Sequence, residues 1–253
     1  MALLVVAAFV AGTVDAIAGG GGVITVPTLG VAGLAPHSLL GTNKGQSVFG
    51  ALSSLVSFYR AGKIHPQRAL LSFPCGFAGS LLGTRLVLYV PQAWLRPIVL
   101  VLLVAVAAFL AWRRQPSKTI NASLTPAVVP NALLRVGTLA FLIGAYDGFF
   151  GPGTGTFLIT AFVLFLKLDL PHATAEAKVV NFASNLAAVC VFAIEGKIVW
   201  AVALPMAAAQ LVGGAVGARV AVKGGENLVR KVVLGVVLVL SVKLAYDAIH
   251  LGF

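Results

Sequence analysis

The sequence predicts an all-α integral membrane protein. It has about eight apolar segments in two repeats of four, and the first segment of each repeat is broken at a glycine-rich motif. Three observations predict this. The apolar fraction is 59% and charged residues make up only 10%, against about 25% charged in an ordinary soluble domain. The apolar residues come in long runs without a polar face, such as 3–17, 69–82, 97–112 and 228–242. Runs approaching about 20 residues match the roughly 30 Å hydrocarbon core of a bilayer, where a lipid-facing helix needs no polar stripe. Finally, the second half of the chain repeats the first.

A shift of 134 positions lays Lys44 on Lys178, Phe58 on Phe192, and Gly62-Lys63-Ile64 on Gly196-Lys197-Ile198. It continues with Gly79 on Gly213, Gly83 on Gly217, Arg85 on Arg219 and Arg96 on Arg230. Nearer the start of each copy the register drifts, so that Asp15 faces Asp147, Gly20 and Gly22 face Gly153 and Gly155, and Pro36-His37 faces Pro171-His172. Apolar matches between membrane helices arise by chance; the charged and glycine matches carry the information. The polar stretch 113–131, which contains three prolines, separates a first repeat at 1–112 from a second at 132–253.

The segments of the first repeat lie near 2–34, 38–59, 66–90 and 94–112, and those of the second near 132–166, 172–194, 198–222 and 227–250. The first of each exceeds thirty residues, too long for one straight span at about 1.5 Å per residue. Each is interrupted centrally, by Gly19-Gly20-Gly21-Gly22 or by Gly151-Pro152-Gly153-Thr154-Gly155. Glycine and proline break helices, so two half-helices joined by bare backbone are expected, with new half-helices starting near Val23 and Thr156.

Charge placement sets the topology. Were each first segment a single crossing, the loops bearing Arg60, Lys63 and Arg68 and bearing Arg219, Lys223, Arg230 and Lys231 would lie on opposite sides, against the positive-inside bias. If each dips in and returns, both loops and the 113–131 linker become cytoplasmic, and Lys197 and Arg96 lie outside. That is an inverted pseudo-two-fold repeat, a build of secondary transporters with a site near the midplane. The net charge of +11 is then cytoplasmic-loop charge facing anionic headgroups. No nucleic-acid motif or basic domain accompanies it. Cys75 and Cys190 form neither a disulfide framework nor a metal spacing, and no cofactor is implied. The N-terminal segment lacks the basic n-region of a signal peptide and recurs mid-chain.

Broken backbone at membrane depth must line a cavity or be covered by protein, and free N–H groups at a half-helix N-terminus attract anions. The candidate anion-binding residues are therefore Gly20, Gly21, Gly22 and Thr25 at one break and Gly153, Thr154 and Gly155 at the other. Lys44 and Lys178, matched across the repeat inside apolar segments, join them as an anion-attracting pair, with Asn43 and Asn181 as donors beside them. The alternative for the lysines is snorkelling to the headgroups. Asp15 and Asp147 either cap the broken backbone or bind a proton or sodium ion coupled to transport. A carboxylate beside an anion repels it unless a proton is shared. Gly79/Gly83 and Gly213/Gly217 are expected to let helices approach closely. Arg85 and Arg219 read as helix-end anchors, and His37 and His172 as loop or interface residues. Glu176 and Glu195 have no matching acid in the first copy, and no role follows.

Asp15-Ala16-Ile17-Ala18 followed by the four glycines and Pro27, with Asp147-Gly148-Phe149-Phe150 followed by the second break, resembles the sulfite exporter TauE/SafE family. The paired Gly-Lys-Ile motifs resemble that family's repeat, and the resemblance covers nearly the whole chain. It implies a multi-pass inner-membrane protein moving sulfite, thiosulfate, sulfoacetate or related organic anions. The expected function is a secondary transporter of such an anion, not an enzyme, with the lipid bilayer as its environment. No nucleotide-binding segment accompanies it. The alternatives are a passive anion channel, or an intramembrane aspartyl hydrolase using Asp15 and Asp147.

Overall fold

The computed structural model describes residues 1–112 and 131–223. The linker, apart from Asn131, and the last apolar segment with Arg230 lie outside the described residues. The helices are α1 (Ala2–Ala18), α2 (Gly21–Val31), α3 (Pro36–Arg60), α4 (Pro66–Tyr89), α5 (Gln92–Trp112), α6 (Ala132–Phe149), α7 (Thr154–Leu166), α8 (Leu170–Ile194) and α9 (Trp200–Lys223). No strand occurs among the described residues. These bounds fall within a few residues of the segments expected from the apolar runs.

Local chemistry sets the helix ends. Proline opens α3 and α4 at positions where a missing N–H costs nothing. The Asp169 carboxylate caps α8 by accepting from the His172 N–H at 2.8 Å. The Gly-Lys-Ile motifs are helix stops. Gly62 and Gly196 take left-handed φ values of 66° and 63°. Lys63 N–H then reaches back to the Phe58 carbonyl at 3.1 Å, and Lys197 N–H to the Phe192 carbonyl at 2.8 Å. Both are Schellman closures, which glycine makes without a Cβ penalty.

Helices α4, α6, α8 and α9 are long and apolar enough to cross a membrane. Exposed leucines lie on the outer faces of α4, α6 and α9, including Leu70 at 81% and Leu134 at 69%. Such a surface suits lipid. Helix α3 is as long, at 25 residues, but carries Asn43, Lys44 and Gln46, all buried. It lies inside the bundle against α8. Helices α2 and α7, of 11 and 13 residues, are too short to span at about 1.5 Å per residue.

The G-x-x-x-G pairs build the tightest crossings, and each crossing joins one half of the chain to the other. A methyl group on Gly79 would overlap the Phe141 carbonyl, and one on Gly83 the Ala145 carbonyl, where α4 meets α6. A methyl group on Gly213 would overlap the Phe9 carbonyl, and one on Gly217 the Thr13 carbonyl, where α9 meets α1. Backbone thus approaches backbone where only glycine fits.

Candidate functional site

Helix α1 stops because Gly19 turns left-handed at φ 78°, its N–H returning to the Asp15 carbonyl at 2.9 Å. Helix α2 starts at Gly21, beside Ala11 and Asp15. In the second half, Gly151 and Gly153 take φ values of 99° and 84° before α7 starts at Thr154. Both half-helices begin two residues earlier than the sequence suggests. Side chains fix these early starts. Asp15 Oδ1 accepts from the Gly21 N–H at 3.3 Å, and the Thr154 hydroxyl donates to Asp147 Oδ1 at 2.8 Å.

The two breaks lie against each other. The Thr156 N–H donates to the Gly19 carbonyl at 3.2 Å, and the Thr156 hydroxyl to the Ala18 carbonyl at 2.8 Å. A Cβ on Gly155 would collide with Gly19, and one on Gly22 would press on Pro152. The Tyr146 hydroxyl donates to the Pro152 carbonyl at 2.7 Å, holding the second break from α6.

Neither lysine is unpaired, and neither snorkels. Lys44 Nζ stands 2.8 Å from Asp147 Oδ1, their side chains 3% and 2% exposed. Lys178 Nζ stands 2.7 Å from Asp15 Oδ2, and also donates to the Asp15 carbonyl. Each half therefore supplies the counter-ion for the other's break. The two pairs are not equally enclosed. Asp147 also accepts from the Thr154 and Ser184 hydroxyls, whereas the Asp15 side chain is 18% exposed.

A small cavity lies between the breaks. Asp15, Gly19, Gly21 and Gly22 line it from one side and Asp147, Gly151 and Gly155 from the other. Asn43, Lys44 and Ser47 of α3, Asn181 and Asn185 of α8, and Gln210 of α9 complete it. The N–H groups of Gly22 and Gly155, each the second residue of its half-helix, are taken by no other group among the described residues. The cavity volume of about 20 Å³ holds about one water, so a polyatomic anion enters only if the walls move.

The profile of the family described as Sulfite exporter TauE/SafE matches residues 4–244. The chain belongs to this family. A TauE/SafE relative from Sinorhizobium sp, "Probable membrane transporter protein ORF9", is 38% identical over 99% of this chain and 94% of its own. "Probable membrane transporter protein YfcA" of Escherichia coli (strain K12) is 34% identical over 98% of this chain and 90% of its own. A "Probable membrane transporter protein" of Haemophilus influenzae is 35% identical, covering 98% and 95%. TauE/SafE is thus a family of membrane transporters, not of enzymes. No solved structure matches the chain.

Of the residues singled out in sequence, Gly21, Gly22, Asn43, Lys44, Gly155, Asn181, Asp15 and Asp147 line the TauE/SafE cavity. Five stand just behind it. Gly20 precedes α2 as its N-cap, and the Thr25 hydroxyl donates to Asn43 Oδ1 at 2.6 Å. The Cβ position of Gly153 faces Val106, Thr154 holds Asp147, and Lys178 holds Asp15. Sequence reasoning passed over Ser47 and Gln210. A signal for Ser47 existed, since the 134-residue shift lays it on Asn181; Gln210 falls opposite Gly76 and carries no such signal. His37, read from the sequence as a loop or interface residue, is buried in the first turn of α3, Nε2 3.1 Å from the Val87 carbonyl.

Proposed function

We propose that this chain is a secondary transporter of a small anion, sulfite or a sulfur-containing organic anion such as a sulfonate, in the inner cell membrane. The anion binds between two inverted repeats near the midplane, with the first segment of each repeat re-entering from its own side. The observation that carries this is the meeting of the glycine breaks, with the N–H groups of Gly22 and Gly155 uncommitted beside Lys44 at one cavity. Helix N-termini and an ammonium together favour an oxyanion. The family description supports sulfur oxyanions as the class.

The equivalence of the α4–α6 and α9–α1 crossings, and of the two lysine–aspartate pairs, supports the inverted arrangement. With it, the Arg60–Arg68 loop faces the cytoplasm. Gly20, Gly21, Gly22, Thr25, Gly153, Thr154 and Gly155 shape the cradle, and Asn43, Lys44, Lys178 and Asn181 hold or attract the anion. Asp15 and Asp147 carry the coupled ion. At rest two lysines balance two aspartates. An added monoanion, hydrogensulfite or a sulfonate, leaves one negative charge in a desolvated site, which is costly. A proton on an aspartate restores neutrality and frees its lysine for the substrate. Sodium fits less well, because both carboxylates are ringed by donors: Lys44, Thr154 and Ser184 at Asp147, Lys178 and Gly21 at Asp15.

The test is uptake of labelled sulfite and methanesulfonate into liposomes holding the purified protein. Saturating uptake with counterflow is expected. Flux that neither saturates nor shows counterflow identifies a channel, and the absence of flux with sulfite, thiosulfate and sulfonates alike overturns the anion assignment.

A further inference from the structure

Two joins at opposite places in the chain do the same mechanical work with different chemistry. Glu176, on α8, accepts at Oε1 from the His65 N–H at 2.8 Å, tying the loop before α4 to α8. In the other half, the Thr42 hydroxyl on α3 accepts from the Val199 N–H at 3.0 Å, tying the loop before α9 to α3. The 134-residue shift lays Thr42 on Glu176 and His65 on Val199, so the two joins are equivalent positions. Threonine satisfies the loop N–H without a charge. Glu176 adds an ion pair to Arg68, Nε to Oε1 at 3.0 Å, and Arg68 falls opposite Val202.

Holding the loop does not explain that charge. A buried carboxylate is expensive to desolvate and earns little stability from a pair, and the Thr42 join shows that a neutral hydroxyl suffices. The burial of the pair is uneven: the Glu176 side chain is 2% exposed and that of Arg68 19%. The guanidinium therefore stands at the boundary between the bundle and the outside, with its acid on the inside. Glu176 is also two residues from Lys178, which holds Asp15, the more exposed of the two cavity aspartates. Displacing Glu176 moves the same turn of α8 that positions Lys178. At the other join, Thr42 stands two residues from Lys44 and its fully enclosed Asp147. The two ends of the pathway thus differ in charge at matching places.

We infer that Arg68 and Glu176 form an anion-responsive latch on the face carrying residues 61–65, while the opposite face is closed by the neutral Thr42–Val199 join. This rests on the transport reading above. A negative solute arriving at this face competes with Glu176 for the Arg68 guanidinium, a planar donor group suited to oxyanions. Once Arg68 turns to the solute, α4 and the loop before it lose one of their two holds on Glu176 of α8, and the cavity opens on that side. Both residues act through the loop and Lys178, not by lining the cavity, so they are positioning residues.

The test measures sided access to the cavity, with sulfite uptake followed separately. With Cys75 and Cys190 replaced by alanine, Ser47→Cys reports on the cavity wall. Vesicles of both orientations are treated with a membrane-impermeant maleimide. Arg68→Gln and Glu176→Thr should raise labelling from the face of residues 61–65 by about tenfold, the factor that loss of one charged hydrogen bond supplies. Labelling from the opposite face should not change. Glu176→Thr keeps an acceptor for the His65 N–H and so guards against misfolding. Sulfite should raise labelling of the unlatched-sensitive face in the parent, and not further in Glu176→Thr. Unchanged labelling in both variants, an equal rise from both faces, or failure of both variants to fold would each overturn the latch. Loss of sulfite uptake with the sided labelling intact would instead count against the transport reading alone.

Discussion

The Lys44 ammonium of α3 and the Asp147 carboxylate of α6 meet at 2.8 Å across the two halves of the chain, both almost wholly buried. A pair so placed is poor value for stability, because desolvation offsets most of the attraction, while removal of one partner strands the other.

That asymmetry gives a first prediction. Lys44→Met alone or Asp147→Asn alone should destabilise the protein by about 3 kcal/mol or more, and the double variant Lys44→Met/Asp147→Leu should recover much of the loss. Thermal unfolding in detergent measures this. Uptake of labelled sulfite should be absent in the double variant, which lacks the Lys44 ammonium. A double variant that is both stable and fully active would show that the pair serves packing only.

A second prediction concerns the helix crossings. Gly83→Ala drives a methyl into the Ala145 carbonyl, and Gly217→Ala into the Thr13 carbonyl. Backbone cannot swing away, so each should cost about 1–3 kcal/mol through forced separation of the helices. Gly30→Ala is the control, since its nearest neighbour is Leu39 Cδ1 at an ordinary 3.5 Å. Unfolding temperatures should fall for the first two and hold for the third. Equal behaviour of all three would contradict the close crossings.

How much of this was legible in the sequence depends on which force sets each feature. Hydropathy places helices, because a bilayer demands continuous apolar runs, and the observed bounds follow those runs closely. Gly62 and Gly196 were visible as a repeated motif, and their job as helix stops follows from φ. The ion pairing was not legible. Aligning Lys44 with Lys178 identifies equivalent positions, not contacts, and whether Lys44 meets Asp15 or Asp147 depends on how the halves interlock. Glu176 was passed over because no acid matched it, when the informative fact was its equivalence to a threonine doing the same join.

The helix stops give a third prediction with little ambiguity. Nothing lies within 4 Å of the Cβ position at either Gly62 or Gly196, so alanine there meets only backbone strain. Gly62→Ala and Gly196→Ala should each cost about 1 kcal/mol, and about the same as each other. Chemical denaturation of the two variants compares them directly. A cost of several kcal/mol at one site would mean that its loop carries more than a turn.

The last prediction separates the coupled ions. Methanesulfonate keeps one negative charge across the usable pH range, so any acid dependence of its uptake comes from the protein. An inward proton gradient should drive its accumulation in liposomes, and a sodium gradient at constant pH should not. Asp147→Asn mimics the protonated carboxyl and leaves Lys44 free. It should therefore still bind and exchange the anion in counterflow while losing the response to the proton gradient. Asp15→Asn should do the same through Lys178, with a smaller penalty on folding because its side chain is 18% exposed. Sodium-driven uptake, or proton-driven uptake that survives in both variants, would remove the aspartates from the coupling path and return them to the role of holding the broken backbone.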